Sequence, residues 1–190
     1  STQGVSSAAS DVYKRQIHSP FSLIVFDHHT DMQQPLMEGM MSCGDWAGMV
    51  LDQNPTLQQF ILIGPAEDDI RQIRTKHPDK LITFSAEEIR KGEGVERLKQ
   101  IHGGVPLYIS IDKDVLSEQY SETNWNQGEL TLGMLEHMLQ YFLERAPVYG
   151  IDICGECSTA IALPEYFQAE GVNGKTNVEL FRFLRSYCCS

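Results

Sequence analysis

The chain is poor in three things: long apolar runs, positive charge and paired cysteines. No apolar run approaches the roughly 18 residues that a membrane span needs. No basic, apolar and small-residue signal pattern opens the chain. The reading is therefore a cytoplasmic protein with no membrane partner. Lysine and arginine number 15 against 26 aspartates and glutamates, a formal net charge of −11. That deficit argues against nucleic acid as a partner. It suits a cationic substrate or bound metal cations. The five cysteines are Cys43, Cys154, Cys157, Cys188 and Cys189. An odd number without a secretory signal points to free thiols in a reducing compartment. Cys154 and Cys157 have redox or zinc spacing, but no second such pair and no nearby histidine accompanies them, so ordinary buried thiols are the reading.

What is there fits one domain: 190 residues, 42% of them hydrophobic and 22% charged. Residues 1–16, STQGVSSAASDVYKRQ, are small, polar and unpatterned, and read as a foreign or disordered arm outside the fold. The remaining 17–190 read as a single α/β domain. Short apolar runs recur at 23–26, 60–64, 81–84, 106–111 and 148–153, rich in Ile, Val, Leu, Phe and Tyr. Such runs are the mark of buried parallel strands. Helical stretches are predicted near 45–53, 66–76, 86–101 and 131–145. In the last of these Leu132, Leu135, Met138, Leu139 and Phe142 share a face behind a Thr131 cap. A final helix is predicted from near Thr176, with Val178, Leu180, Phe181 and Leu184 inward. Alternating strands and helices predict a three-layer αβα sandwich around a mostly parallel sheet.

Open parallel sheets place ligands beyond the carboxyl ends of their strands, so the residues just past each apolar run matter. After LIVF comes Asp27-His28-His29-Thr30-Asp31, and after PLYIS comes Ile111-Asp112-Lys113-Asp114. In an extended chain Asp27, His29 and Asp31 project to one side, as do Asp112 and Asp114. Neighbouring strands would gather four carboxylates and one imidazole. Two unit charges about 4 Å apart repel by roughly 4 kcal/mol at an effective dielectric near 20. Such a cluster must protonate, bind cations or be held apart in water. Two divalent ions balance four carboxylates. Mostly oxygen ligands with one imidazole favour Mn²⁺ over Zn²⁺. Asp114 is the natural group to hold the proton of an activated water.

These motifs resemble those of the ureohydrolase superfamily, which includes arginase, agmatinase and formimidoylglutamase. FDHHTD resembles its D-A-H-x-D motif, and SIDKDVL its S-x-D-x-D-x-x-D-P motif. NWNQGELTLGMLEHML and VYGIDICGE resemble the later segments of that family. The resemblance implies an arginase-like fold and two Mn²⁺ ions sharing a hydroxide that attacks a guanidinium or formimino carbon. It implies that Asp27 and Asp112 bridge both ions, that Asp31 serves one, and that His29 and Asp114 serve the other. Glu156 would face the cationic head of the substrate. Family members are often oligomeric, and a homo-oligomer is left open here.

The sequence also departs from that pattern. No G-G-x-H-S strand precedes Asp27. His18, nine residues earlier, stands before the same strand and is read as a non-ligand, with the N-terminal strands missing. One ion site would then be incomplete. Val115-Leu116-Ser117-Glu118 replaces the motif's Asp-Pro, Cys43-Gly44 stands where His-Gly is expected, and one extra residue separates Asp152 from Glu156. His28 replaces a small residue and is read as a supporting group. Two other readings compete with the ureohydrolase: a catalytically impaired arginase-like fragment with weak or single-ion binding, and a one-metal amidohydrolase like the related deacetylases, preferring Zn²⁺.

Overall fold

The computed structural model describes residues 17–33, 44–123, 126–155 and 163–188. The first sixteen residues, Cys43 and Glu156 lie outside these. Among the described residues five strands form one sheet: β1 (Phe21–Phe26), β2 (Leu57–Ile63), β3 (Leu81–Phe84), β4 (Leu107–Asp112) and β5 (Val148–Cys154). All pairings are parallel, in the order β3-β2-β1-β4-β5. The five apolar runs thus become the five strands. β1, β2 and β4 are buried along nearly their whole length, as interior strands of a covered parallel sheet must be.

Alternate residues of each strand feed two apolar clusters, one per face. Ile24 and Phe26 of β1 join Ile61, Ile63, Ile109 and Ile111 on one face. Helix α4 (Leu132–Leu143) covers that face with Leu135, Leu139 and Phe142. Leu23 and Val25 join Phe60, Leu62 and Tyr108 on the other face, under Trp46, Val50 and Leu51 of helix α1 (Trp46–Gln53). Three layers result. Thr131 caps α4 as expected, its side chain accepting the Met134 N–H. No helix among the described residues is long and apolar enough to cross a membrane.

Helix α2 covers only Glu67–Gln72 of the stretch predicted over 66–76. Helix α3 (Ala86–Lys91) opens with a capping box between Ser85 and Glu88 and stops at Gly92, whose φ is 71°. The predicted continuation to 101 is instead a separate 3₁₀ segment, Val95–Gln100. Among the described residues β5 pairs on one side only, with β4, and its residues are half-exposed rather than buried.

The largest correction concerns the last helix. Helix α5 runs Leu163–Cys188, well before Thr176. Leu180 and Leu184 face inward as expected, but Val178 and Phe181 are 48% and 65% exposed. The buried stripe is Ala169, Asn173, Thr176, Leu180 and Leu184, at the three-and-four spacing of one helix face. Asn173 and Thr176 are tolerated there because they are satisfied. Asn173 Nδ2 donates to the Glu122 carbonyl at 2.8 Å, its Oδ1 accepts the Glu122 N–H at 3.0 Å, and the Thr176 hydroxyl donates to the Tyr120 carbonyl.

The chain runs outward from β1 through β2 to β3, then returns to the other side of β1 for β4. The connections reverse direction between β1 and β4, so a crevice opens at their carboxyl ends. Phe26 and Ile111 are register partners there, which sets Asp27 level with Asp112.

Candidate metal centre

The acidic groups gather at this crevice. Asp27 leaves β1 with its N–H still bonded to the Ile63 carbonyl at 3.0 Å, and only 4% of the residue is exposed. The strand geometry stops there. Asp27 Oδ1 accepts the His29 N–H at 2.7 Å, a local turn that folds His29 back over the carboxylate. The expected projection of Asp27, His29 and Asp31 from one side of an extended chain is therefore corrected. A turn unites the first two, and Asp31, at φ 49°, still lies near enough for its charge to raise the Asp27 pKa.

On the β4 side, Asp112 caps the short 3₁₀ turn Lys113–Val115 by accepting the Asp114 N–H on Oδ1 at 3.1 Å. The turn swings Asp114, 2% exposed, toward His29. His29 Nδ1 lies 2.8 Å from Asp114 Oδ2 and 3.6 Å from Asp27 Oδ1. One potential ligand atom from each of Asp27, His29 and Asp114 falls within 4.8 Å of the others. Asp114 Oδ1 accepts the backbone N–H of His28 at 3.0 Å, so His28 supports the centre through its main chain. His18 is exposed ahead of β1, at the opposite end of that strand.

Asp31 and Asp112 stand beside this group of three, each engaged elsewhere. Asp31 Oδ2 accepts the indole N–H of Trp46 at 2.6 Å. Asp112 Oδ2 lies 3.3 Å from the thiol of Cys154, its register partner on β5. Gly155, at φ 87°, packs so closely that a Cβ there would sit 2.4 Å from Asp112 Oδ1. Trp46, Cys154 and Gly155 were not foreseen as parts of the site. Cys154 was visible as the last residue of the last strand at the same sheet edge, but its neighbour depends on the strand order. Trp46 carries no comparable signal.

The electrostatics follow from this crowding. Burial pushes the Asp27 carboxyl well up; the His29 hydrogen bond opposes it, and the charges of Asp31, Asp114 and Asp112 add to it. Burial chiefly raises Asp31 to about 7 and Asp112 to about 6, with the Asp114 charge the next contribution at Asp112. Hydrogen bonds to Asp114 and then Asp27 raise His29 to about 10. Burial, then the Asp112 charge, pushes the Cys154 thiol up, so it serves as a donor rather than a thiolate. His29 is thus held toward its protonated form between Asp27 and Asp114. It supplies the positive charge that a divalent ion would supply there, from a donor set of two carboxylates and one imidazole that fits such an ion.

The sequence comparison agrees with this geometry. The family model described as Arginase family matches residues 2–159. The chain belongs to the arginase family. An uncharacterized protein of Thermotoga maritima is 27% identical over 142 residues, covering 75% of this chain and 50% of that protein. Among solved structures, formimidoylglutamase from Bacillus subtilis aligns over 96% of this chain and 57% of its own, at TM-score 0.65 and 16% identity. Arginase from Medicago truncatula aligns over 95% and 56%, also at TM-score 0.65 and 16% identity. A hypothetical agmatinase from Burkholderia thailandensis aligns over 92% and 55%, at TM-score 0.59 and 18% identity. These likenesses establish the arginase-like fold, and the chain spans about half the length of the relatives it matches.

Proposed function

We propose that this arginase-family chain carries the metal centre of a ureohydrolase, which cleaves a C–N bond in a guanidino or formimino compound with Mn²⁺ as its cofactor. The observation that carries the reading is the convergence of Asp27, His29 and Asp114 at the crevice between β1 and β4. Asp27, His29 and Asp114 would hold one ion. Asp31 and Asp112 would complete a second, with Asp27 and Asp112 shared. Bound divalent ions lower the pKa of water enough to give a nucleophile near neutral pH.

The protein's own groups do the rest. Asp114 takes the proton of the attacking water and returns it to the departing nitrogen as the C–O bond forms and the C–N bond breaks. Its Oδ1 is oriented by the His28 N–H, and its Oδ2 lies 2.8 Å from His29 Nδ1. Glu156 comes directly after Gly155 at the end of β5 and is assigned to the cationic head of the substrate. The net charge of −11 favours the approach of such a cation.

The test measures Mn²⁺ per purified chain, then urea or formamide release across a panel of guanidino and formimino compounds. Turnover that disappears in Asp112→Ala supports the reading. A chain that takes up no Mn²⁺ refutes it. A second reading is an inactive arginase-like protein with one ion. It is favoured by the hydrogen bonds that already engage Asp31 and Asp112, and full metal loading without turnover would select it.

A further inference from the structure

Asp31 is the only non-glycine residue among the described ones with a positive φ, at 49°. A left-handed conformation in a residue other than glycine costs on the order of 1 kcal/mol and persists only where its surroundings impose it. Here they do. The Asp31 carbonyl accepts the N–H groups of Ala47 at 3.0 Å and Gly48 at 3.3 Å, both in the first turn of α1. Those amides have no acceptor within the helix. Gln33 N–H donates to the Gly44 carbonyl at 2.9 Å, so the segment after β1 is laced to the segment that opens α1. Gly48 lets the two approach: a Cβ there would lie 3.3 Å from Met32 Cα. At the centre stands Trp46, 1% exposed and packed with Val25 and Met32, its indole N–H fixed on Asp31 Oδ2 at 2.6 Å.

We infer that Trp46 is a positioning residue for Asp31, occupying Oδ2 with the indole N–H so that Oδ1 alone is presented to a second divalent cation. The inference rests on the two-ion reading of the proposed function and adds to it the group that aims the weaker site. Among the described residues Oδ1 takes no hydrogen bond. The indole cannot rotate away, because its ring fills the core between the sheet and α1. The carboxylate is thereby held in one orientation before any ion arrives. An outer group that orients a ligand in this way is worth roughly 10- to 100-fold in metal affinity.

The experiment titrates Mn²⁺ into the full chain by calorimetry, with electron paramagnetic resonance to count the two classes of ion. It compares wild type, Trp46→Phe, and a protein carrying β-(3-benzothienyl)alanine at position 46. The last keeps the shape of indole and replaces its N–H with sulfur, so it separates the lost donor from any loss of packing. In both altered proteins the weaker ion should lose roughly 10- to 100-fold in affinity while the tighter ion is unchanged. Equal weakening of both ions would make Trp46 merely structural and overturn the inference, as would no weakening or a wild type that binds a single ion. A metal-free readout stands beside it. The Trp46 indole ¹H–¹⁵N resonance should move upfield in Asp31→Asn; an unmoved signal denies the bond itself. Wild type that binds no Mn²⁺ while the resonance does move removes the ureohydrolase reading, and with it any second cation for Asp31 to serve.

Discussion

Raising the pH on metal-free protein should destabilise it, and Mn²⁺ should reverse the trend. Asp31 has a pKa of about 7 in the fold against 3.8 for the free side chain, and Asp112 about 6 against the same reference. His29 stands at about 10 against 6.5. In each case the folded protein holds its proton more tightly than the unfolded chain. Stability is then fully present below the unfolded value and drains away as the pH climbs through the folded one. The windows are about pH 4 to 6 for Asp112, 4 to 7 for Asp31, and 6.5 to 10 for His29.

Each proton held only by the folded state contributes a slope of about 1.4 kcal/mol per pH unit. For largely buried Asp31, a rise from 3.8 to about 7 integrates to something on the order of 4 kcal/mol. That is a large share of the 5–15 kcal/mol typical of a folded domain, so roughly 2 kcal/mol should be lost between about pH 5 and pH 7 through this residue alone. Mn²⁺ competes with the same protons, so its stabilisation should be greater at about pH 8 than at about pH 6. At 100-fold excess over its dissociation constant one ion contributes about 2.7 kcal/mol. Urea unfolding followed by circular dichroism, with EDTA or Mn²⁺, reads all of this. Asp31→Asn should flatten the metal-free slope by up to one proton. Metal-free stability that holds level or increases from about pH 5 to pH 7, with no gain from Mn²⁺ at about pH 8, would refute the account of the cluster.

Two glycines test the scaffold around the same groups. Gly64, at φ 117°, has no room for a side chain: a Cβ would meet Val115 Cγ2 at 2.4 Å and the Asp27 carbonyl at 2.7 Å. Gly64→Ala should cost roughly 2–4 kcal/mol, from backbone strain plus overpacking, seen as a lower urea midpoint with unchanged slope. Gly155→Ala would drive a methyl into Asp112 Oδ1 and should weaken Mn²⁺ binding at least tenfold by calorimetry. Wild-type affinity in that variant would mean that Asp112 needs no such backing.

Much of the frame was legible because interior parallel strands write themselves as unbroken apolar runs. LIVF, FILIG and PLYISI have no other easy home, and each became a buried strand. The acid clusters were legible because each comes directly after such a run. α5 was misplaced because its buried stripe is partly polar. Asn173 and Thr176 hide inside by bonding the 120–122 loop, and hydrophobic periodicity cannot register that. The extended chain expected through Asp31 fails because Asp27 captures the His29 N–H and the chain turns. Cys154 became a neighbour of Asp112 only through the strand order, which a list of strands does not contain.

The spent oxygens also set an order of events. Asp27, His29 and Asp114 already gather their ligating atoms, and what holds them together without metal is the His29 proton. On the proposed function, a first ion would displace the His29 proton at a site whose geometry exists. Asp31 gives Oδ2 to the Trp46 indole, whereas Asp112 is engaged at both oxygens, Oδ1 by the Asp114 N–H and Oδ2 by the Cys154 thiol. Carboxylates so engaged still offer their remaining lone pairs. Both carboxyls also sit with raised pKa values, so part of each must lose its proton before it can bind near neutral pH. The charge of the first ion favours that loss, since a nearby cation stabilises the ionised form. On the proposed function, binding in two steps, tight and then weak, should follow from this arrangement of donors and burial.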